Sequence, residues 1–409
     1  MDITIFPKKL HGSINAIPSK SHAHRLMLCA ALADAPTRIE IPTICDDLHA
    51  TIGCISGLGG EIEHIFGLAE VVTPIRELPA AAVAPCGESG ATLRFFLPLA
   101  GAFGVDTTFL LEGKLPYRPL SPLWEEMGRN GCRLSWLNRS GLQAAGMQPS
   151  RSVTAGLQLN GQLRPGHYRI DGGVSSQFIS GLLMALPLLE GDSRLELMGR
   201  VESRPYVDMT LQVLKQFGVE WEDFSISGRQ VYRSPGTVTV EGDWSSAAFW
   251  LAAAALGSDL TVTGLDENSV QGDKAIAQLL PQLQQNLAIS AADIPDLVPI
   301  LAVVAAANKG AVITDVRRLR LKESDRIHAI VEMLAALGGR ATADENTLTI
   351  YPADLSGGTV DACNDHRIAM AAAIASTVCS HPVTILGADC VSKSYPNFWK
   401  EFTRLGGSI

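Results

Sequence analysis

The 409-residue sequence has no GxxxxGKS/T loop and no GxGxxG fingerprint, which sets aside the common nucleotide-binding folds. Its eight cysteines (Cys29, Cys45, Cys54, Cys86, Cys132, Cys363, Cys379, Cys390) form no CxxC pair and no metal-ligand rhythm, so they read as reduced thiols of a cytosolic protein. His22 and His24 are two apart and diverge on a helix, so no metal site is expected. Gly87-Glu88-Ser89-Gly90-Ala91 stops one residue short of GxSxG, which excludes a nucleophile elbow. Long apolar runs are missing too. Leu297 to Ala307 falls short of the roughly 18 residues a membrane span needs. Met1 to Leu10 carries Asp2, Lys8 and Lys9 and no apolar core, so no signal peptide and a cytoplasmic location are expected. Positive charge is in deficit overall. A formal charge of -9 argues against nucleic acid or an acidic membrane as partner.

What is present is the composition of a globular protein, 46% hydrophobic and 18% charged with only 6% aromatic residues. The length suggests two domains. A loose repeat runs through it: strand, polar turn, Ala/Leu-rich helix, strand, second helix ending in Gly, short hairpin. The turns are Pro18-Ser19-Lys20-Ser21, Gly87-Glu88-Ser89-Gly90, Gly172 to Gln177, Gly242-Asp243-Trp244-Ser245-Ser246, Ala292 to Asp296 and Cys363-Asn364-Asp365-His366. Ser, Asp and Asn there predict helix caps, and the runs that follow, such as Phe178 to Leu189 and Ala247 to Leu256, are apolar nearly all round and should be buried. Leu58-Gly59-Gly60, Phe217-Gly218, Leu337-Gly338-Gly339 and Leu405-Gly406-Gly407 read as helix stops. Three such units around shared helices would make one domain, and two domains account for the chain. The boundary is expected near Ser234-Pro235-Gly236, with a second crossing near Ile17-Pro18: residues 17–235 form one lobe, 1–16 and 236–409 the other.

Cations stand at or just after these turns: Lys20, Arg25, Arg94, Arg118, Lys322, Arg326, Arg367 and Lys393. Brought into a common cleft, they would hold phosphate or carboxylate groups inside an otherwise acidic protein. Singly, each reads equally as a surface charge. Ser21, Ser175, Ser176, Gln177 and Ser203 could cap helices or bind a ligand, and Asp296 could be a cap or a base placed opposite Glu323. The densest stretch is Leu321-Lys322-Glu323-Ser324-Asp325-Arg326, at the start of an apolar-periodic run. It predicts a helix N-terminus suited to an anion, with a carboxylate tuned for acid or base work, or else a solvated first turn with local ion pairs.

Taken in order, KSHAHR (Lys20 to Arg25), ESGATLR (Glu88 to Arg94), Arg118-Pro119, Ser175-Ser176-Gln177, Ser203-Arg204-Pro205-Tyr206, Ile294-Pro295-Asp296, KESDR (Lys322 to Arg326), NDHR (Asn364 to Arg367) and Lys393 resemble the 5-enolpyruvylshikimate-3-phosphate (EPSP) synthase family over essentially the whole chain. The resemblance implies an α/β (α+β) fold, a two-domain inverse α/β barrel of six βαβαββ repeats, three per domain, with buried helices and sheets outside. It implies transfer of the enolpyruvyl group of phosphoenolpyruvate to the 5-hydroxyl of shikimate 3-phosphate, with no cofactor, by a monomer. By matching position, Lys20, Ser21, Arg25, Ser175, Ser176, Gln177, Ser203, Asp296 and Lys322 would hold shikimate 3-phosphate. Lys20, Gly90, Arg118, Gln177, Arg326, Arg367 and Lys393 would surround phosphoenolpyruvate. Asp296, Glu323 and Lys20 would carry the chemistry.

Departures from the family pattern are visible. Glu88 stands where Asn is usual, and Arg318 where some members place an Asn that contacts shikimate 3-phosphate. The fourth unit looks trimmed between Gln271 and Asp293. Gly90 predicts room for the inhibitor glyphosate, while Ala91 replaces a frequent Thr. The sister transferase acting on UDP-N-acetylglucosamine usually has a reactive Cys in the loop matching Glu112 to Arg118, and this loop has none. A non-catalytic scaffold for an anionic partner would explain the cations but leave Asp296 and Glu323 idle.

Overall fold

Polar caps and apolar runs decide where the main helices begin. The computed structural model describes residues 1–65, 67–144, 147, 150, 152–285 and 287–409. Nine of its helices position the residues discussed below: α1 (Lys20–Leu32), α2 (Asp46–Gly57), α3 (Gly90–Phe103), α4 (Ser176–Ala185), α5 (Arg204–Gln216), α6 (Trp244–Ala255), α7 (Val298–Ala306), α8 (Arg326–Ala336) and α9 (His366–Ala375). Six of them, α1, α3, α4, α6, α7 and α9, follow the six turns picked out in the sequence. Ser89, Ser175, Asp243 and Asp365 are N-caps whose side chains accept from Thr92 N–H (3.3 Å), Gln177 N–H (3.3 Å), Ser246 N–H (3.1 Å) and Arg367 N–H (3.0 Å). As their apolar circumference predicts, every residue of α7 and α9 is buried. The stops work as expected as well: Gly218 and Gly338, just past α5 and α8, take φ of 73° and 81°.

The chain divides into two compact units, a continuous one (Lys20–Val240) and a split one (Met1–Ser19 with Glu241–Ile409). The second boundary therefore comes after residue 235. Thr237–Thr239 runs parallel to Thr37–Glu40, so the strand beyond Pro235-Gly236 completes the continuous unit. At the crossing the two chain segments run side by side, Ser19 N–H donating to Glu241 O (2.8 Å) and Asp243 N–H to Ile17 O (2.8 Å). The strands flanking α1 lie in different sheets. His11–Asn15 pairs in parallel with Asp259–Thr263, and Thr37–Glu40 with Thr237–Thr239.

In the continuous unit the sheets, in spatial order, are Thr237–Thr239, Thr37–Glu40, Ala69–Thr73, Glu61–Ile65; then Ala81–Gly87, Asp106–Glu112, Val153–Gly161, Cys132–Leu137; then His167–Asp171, Ser193–Met198, Ser225–Ile226. Strands such as Ala81–Gly87 alternate exposed and buried residues, one face on the helices and one in water. Helices pack closely on each other beneath them. A Cβ on Gly181 of α4 would lie 2.4 Å from Arg94 O of α3, so only glycine allows that approach.

The split unit also has three sheets among the described residues, around the buried α6, α7 and α9. They are His11–Asn15 with Asp259–Thr263; Leu287–Ser290, Ala311–Thr314, Thr347–Tyr351, Arg340–Ala343; and Ile3–Ile5, Val383–Leu386, Gly358–Asp361. The architecture is mixed α/β, but the repeat is uneven. After the short helix Ile276–Gln282 the next strand is Leu287–Ser290, the first of the following sheet, so among the described residues the two-stranded sheet has no hairpin of its own. All eight cysteines are unbridged, and seven are buried. Among the described residues no helix is long and apolar enough to cross a membrane.

Candidate active site

In the split unit the charges of the Lys322–Arg326 stretch gather on one guanidinium. Asp325 caps α8 by accepting from His328 N–H (3.1 Å), and Arg326 follows as the first helical residue. Its side chain is 1% exposed. Nε donates to Asp365 Oδ2 (3.0 Å), Nη1 to Asp296 Oδ1 (2.7 Å) and Nη2 to Glu323 Oε2 (2.7 Å). The two acids singled out by the sequence thus stand on the same side chain. A solvated helical turn does not describe this arrangement, because the cation is buried and charge-assisted bonds fill its fork.

Asp296 is not a helix cap. The helix α7 starts two residues later, at Val298; Asp296 Oδ2 accepts from Arg367 Nη2 (3.1 Å), and Lys322 Nζ lies 3.8 Å from Oδ1, the oxygen that Arg326 also holds. Burial opposes ionisation of Asp296, but Arg367, Lys322 and Arg326 outweigh it and hold the carboxyl well below its usual range. Burial also acts on Lys322. Despite the pull of Asp296, loss of solvent lowers its pKa to about 8. Arg326 loses solvation as well, yet Asp365, Glu323 and Asp296 keep it firmly charged. Lys393 Nζ donates to Asn364 O (3.0 Å), at a turn where Cys363 and Asn364 hold φ of 54° and 57°. Such values in residues with a side chain mark a backbone held in place by its surroundings.

In the continuous unit Lys20 begins α1, its Nζ 2.7 Å from Asp47 Oδ2 in α2. Gly90 begins α3 directly against Arg118: a Cβ at position 90 would lie 2.7 Å from Arg118 Nη1. Buried Arg94 ties the neighbouring pieces together, Nη1 donating to Gln177 Oε1 (2.7 Å) and Nη2 to Pro119 O (3.0 Å). Ser175 and Ser176 form the start of α4, and Ser203 precedes α5 with φ of 55°. Arg25 sits differently from a cation open to a ligand. It is 2% exposed, with Nε on Thr210 Oγ1 (2.7 Å), Nη1 on Ser21 O (2.7 Å) and Nη2 on Ser180 Oγ (3.1 Å) and Tyr206 O (2.9 Å). Burial lowers its pKa to about 10, and its contacts hold the Ser21 and Tyr206 turns from beneath.

The sequence model of EPSP synthase (3-phosphoshikimate 1-carboxyvinyltransferase) matches residues 6–402. The chain belongs to the EPSP synthase family. It is 38% identical to the 3-phosphoshikimate 1-carboxyvinyltransferase of Clostridium kluyveri, covering all of this chain and 98% of that protein. The same enzyme of Clostridioides difficile is 36% identical, over 100% of this chain and 98% of the relative. Among solved structures, EPSP synthase from Acinetobacter baumannii superposes with a TM-score of 0.78 at 23% identity, over 99% of this chain and 98% of that one. The enolpyruvyl transferase NikO from Streptomyces tendae gives 0.74 at 19%, covering 100% and 97%. These two likenesses concern the fold.

Two of the departures from the EPSP synthase pattern, Glu88 and Arg318, have a definite place. The Glu88 carboxylate rests against Gly113, in the loop leading to Arg118. Arg318 donates through Nη2 to Ala292 O (2.8 Å), bracing the turn that carries Asp296, and its charge adds to the depression of Lys322. Reading the sequence missed three acids. Asp47 holds Lys20, and its one signal was a pair of acids opening α2. Asp365 is a helix cap that also binds Arg326 and Ser324 Oγ (3.0 Å), and only the cap was legible. Asp273 is buried against Ser245; burial first, then the nearby Asp296 charge, raises its pKa to about 7.

Proposed function

We infer that the chain transfers the enolpyruvyl group of phosphoenolpyruvate to the 5-hydroxyl of shikimate 3-phosphate and releases phosphate. The observation that carries this reading is the Arg326 guanidinium, which holds Asp296 and Glu323 together with Lys322 and Arg367 alongside. A carboxylate pair among buried cations suits addition to, and elimination from, an anionic enol ether.

Asp296 accepts the proton of the 5-hydroxyl as its oxygen attacks C2 of phosphoenolpyruvate. Glu323 delivers a proton to C3, turning the methylene into a methyl group. Lys20 and Lys322 offset the charge of the tetrahedral adduct. In the second stage the methyl group returns a proton to Glu323, the double bond re-forms and the C–O bond to phosphate breaks. The proton held by Asp296 leaves with the phosphate. Three cations hold Asp296 ionised in the free protein, which makes it a weak base. Phosphate and carboxylate groups compete for those cations on binding and raise its proton affinity. Arg326 must give up its Glu323 contact to meet phosphoenolpyruvate, which frees Glu323 to take up a proton.

Lys20, Ser21, Arg25, Ser175, Ser176, Gln177, Ser203 and Lys322 take the shikimate 3-phosphate side, Arg25 acting through Ser21 and Tyr206, whose backbone carbonyls it holds. Gly90, Arg118, Arg326, Arg367 and Lys393 take phosphoenolpyruvate, shared with Lys20 and Gln177. The protein works as a cytoplasmic monomer on these two small molecules, with no nucleic acid and no membrane. Phosphate release tests the reading: it is expected only with both substrates present, and none with UDP-N-acetylglucosamine replacing shikimate 3-phosphate. No release with the first pair refutes the assignment.

A further inference from the structure

Beneath the first turns of α1, α2 and α3 runs a chain of hydrogen bonds that the mechanism above does not use. His24, one turn after Lys20, has Nδ1 2.7 Å from Thr51 Oγ1 in α2. Thr51 Oγ1 lies 2.8 Å from Thr92 Oγ1 in α3, which lies 2.8 Å from Ser89 Oγ and 3.4 Å from Asp47 O. The four side chains are at most 2% exposed, so water does not compete for these bonds.

The direction of the chain follows from its imidazole end. Burial, then the charges of Lys20 and Arg25, hold the pKa of His24 well below its usual value, so the ring is neutral and carries one N–H. Nε2 is buried without a hydrogen-bond partner among the described residues. A proton there would be an unmet donor, the costlier kind of orphan, so it belongs on Nδ1. His24 then donates to Thr51, Thr51 to Thr92, and Thr92 to Ser89, which also accepts from Thr92 N–H (3.3 Å). Each hydroxyl has one proton to give, so the order is fixed from end to end.

Each end reaches a proposed substrate residue. Lys20 precedes His24 by one turn; Asp47, which holds Lys20, precedes Thr51 by one turn; and Gly90 follows Ser89 directly. We propose that His24, Thr51 and Thr92 are positioning residues, locking three helix starts in register so that Lys20 and the Gly90–Arg118 contact keep the spacing both substrates require. This inference rests on the enolpyruvyl-transfer reading above. Without the Thr51 hydroxyl, His24 Nδ1 loses its acceptor beside the Phe95 ring, 6.3 Å from the imidazole, while Thr92 keeps Ser89 and Asp47; the link from α1 to α3 is cut and the helix starts can shift.

The test uses the full chain with Thr51→Val, Thr51→Ser, Thr92→Val and the double valine variant, measuring phosphate release against each substrate. An ångström of misplacement costs about a hundredfold in a site of this kind, so Thr51→Val is expected to lower kcat/KM for phosphoenolpyruvate about ten- to a hundredfold. Thr51→Ser keeps the hydroxyl and should restore it. The double variant should be no worse than Thr51→Val, because both changes break one chain. Parental kcat and KM in both single valine variants, with only the urea midpoint lowered, would make the chain a support of the fold and overturn the proposal. Thr51→Ser as impaired as Thr51→Val overturns it too, by assigning the effect to packing. If Thr51→Val does not fold, Thr92→Val and Thr51→Ser decide alone, one expected impaired and the other parental. A parent chain that releases no phosphate refutes the assigned reaction itself, an outcome distinct from parental and variant chains releasing it equally.

Discussion

Arg326→Met removes the charge at the centre of the acidic cluster while keeping most of the side chain's length. The guanidinium meets three carboxylates whose exposures are 0% (Asp365), 20% (Asp296) and 24% (Glu323). Removing one partner of a buried ion pair costs about 3–5 kcal/mol, and the Asp365 contact is of that kind. The other two add little. Asp296 keeps Arg367 and Lys322, and Glu323 is open enough to take water. A loss of about 4 kcal/mol at pH 7 is therefore expected in the split unit. Lower pH should relieve it, because protons can neutralise the carboxylates that have lost their counter-charge. In the parent, Asp296 has a folded value depressed below the usual 3.8, so its contribution is complete above that value and lost only as pH falls through the folded one. Between pH 7 and 5 that contribution is constant, and the variant's deficit should narrow. Urea titration at the two pH values, read by hydrogen exchange of the α8 amides, isolates this region. A loss under about 1 kcal/mol, or one equal at both pH values, refutes the view that Arg326 neutralises the cluster.

Three further outcomes follow from the same geometry. Glu323→Gln keeps the shape and an acceptor for Arg326 but cannot deliver a proton: turnover should fall about 10²–10⁴-fold while calorimetry shows shikimate 3-phosphate still bound, and near-parental turnover removes Glu323 from the mechanism. With Lys322 at about 8 in the free protein, shikimate 3-phosphate should bind more weakly as pH rises through that value and take up a proton on binding there. Calorimetry in two buffers of unlike ionisation heat measures the uptake, and its absence near pH 8 contradicts the role of Lys322. Gly90→Ala puts a Cβ 2.7 Å from Arg118 Nη1 and must push that flexible side chain aside. KM for phosphoenolpyruvate should rise about tenfold or more, as for a lost charge-assisted hydrogen bond, and an unchanged KM shows that Arg118 serves elsewhere.

The turns and helix starts were legible because their signals are local. A Ser or Asp cap before an all-apolar run announces both the end of a helix and its burial, as at Ser89, Ser175, Asp243 and Asp365. Partner choice was not. That Arg25 bonds to Thr210 depends on a helix 185 residues away, which no local signal announces. The resemblance marks Arg326 as a substrate cation, but nothing in its polar sequence neighbourhood shows that the same guanidinium gathers three carboxylates. Its partner Asp365 lies 39 residues on and shows in the sequence only as a cap. The strand exchange around α1 was equally hidden: two short parallel strands carry no mark of which sheet they join.

That exchange has a consequence for how the polypeptide matures on the ribosome. Residues 20–240 include every strand of their own three sheets and can fold as soon as they emerge. Ile3–Ile5 and His11–Asn15 leave the tunnel first, yet their pairing partners, Val383–Leu386 and Asp259–Thr263, are translated hundreds of codons later. The earliest-made strands must wait with open edges while a finished body forms beside them, so nascent chains stalled before residue 383 should be the species that holdase chaperones capture.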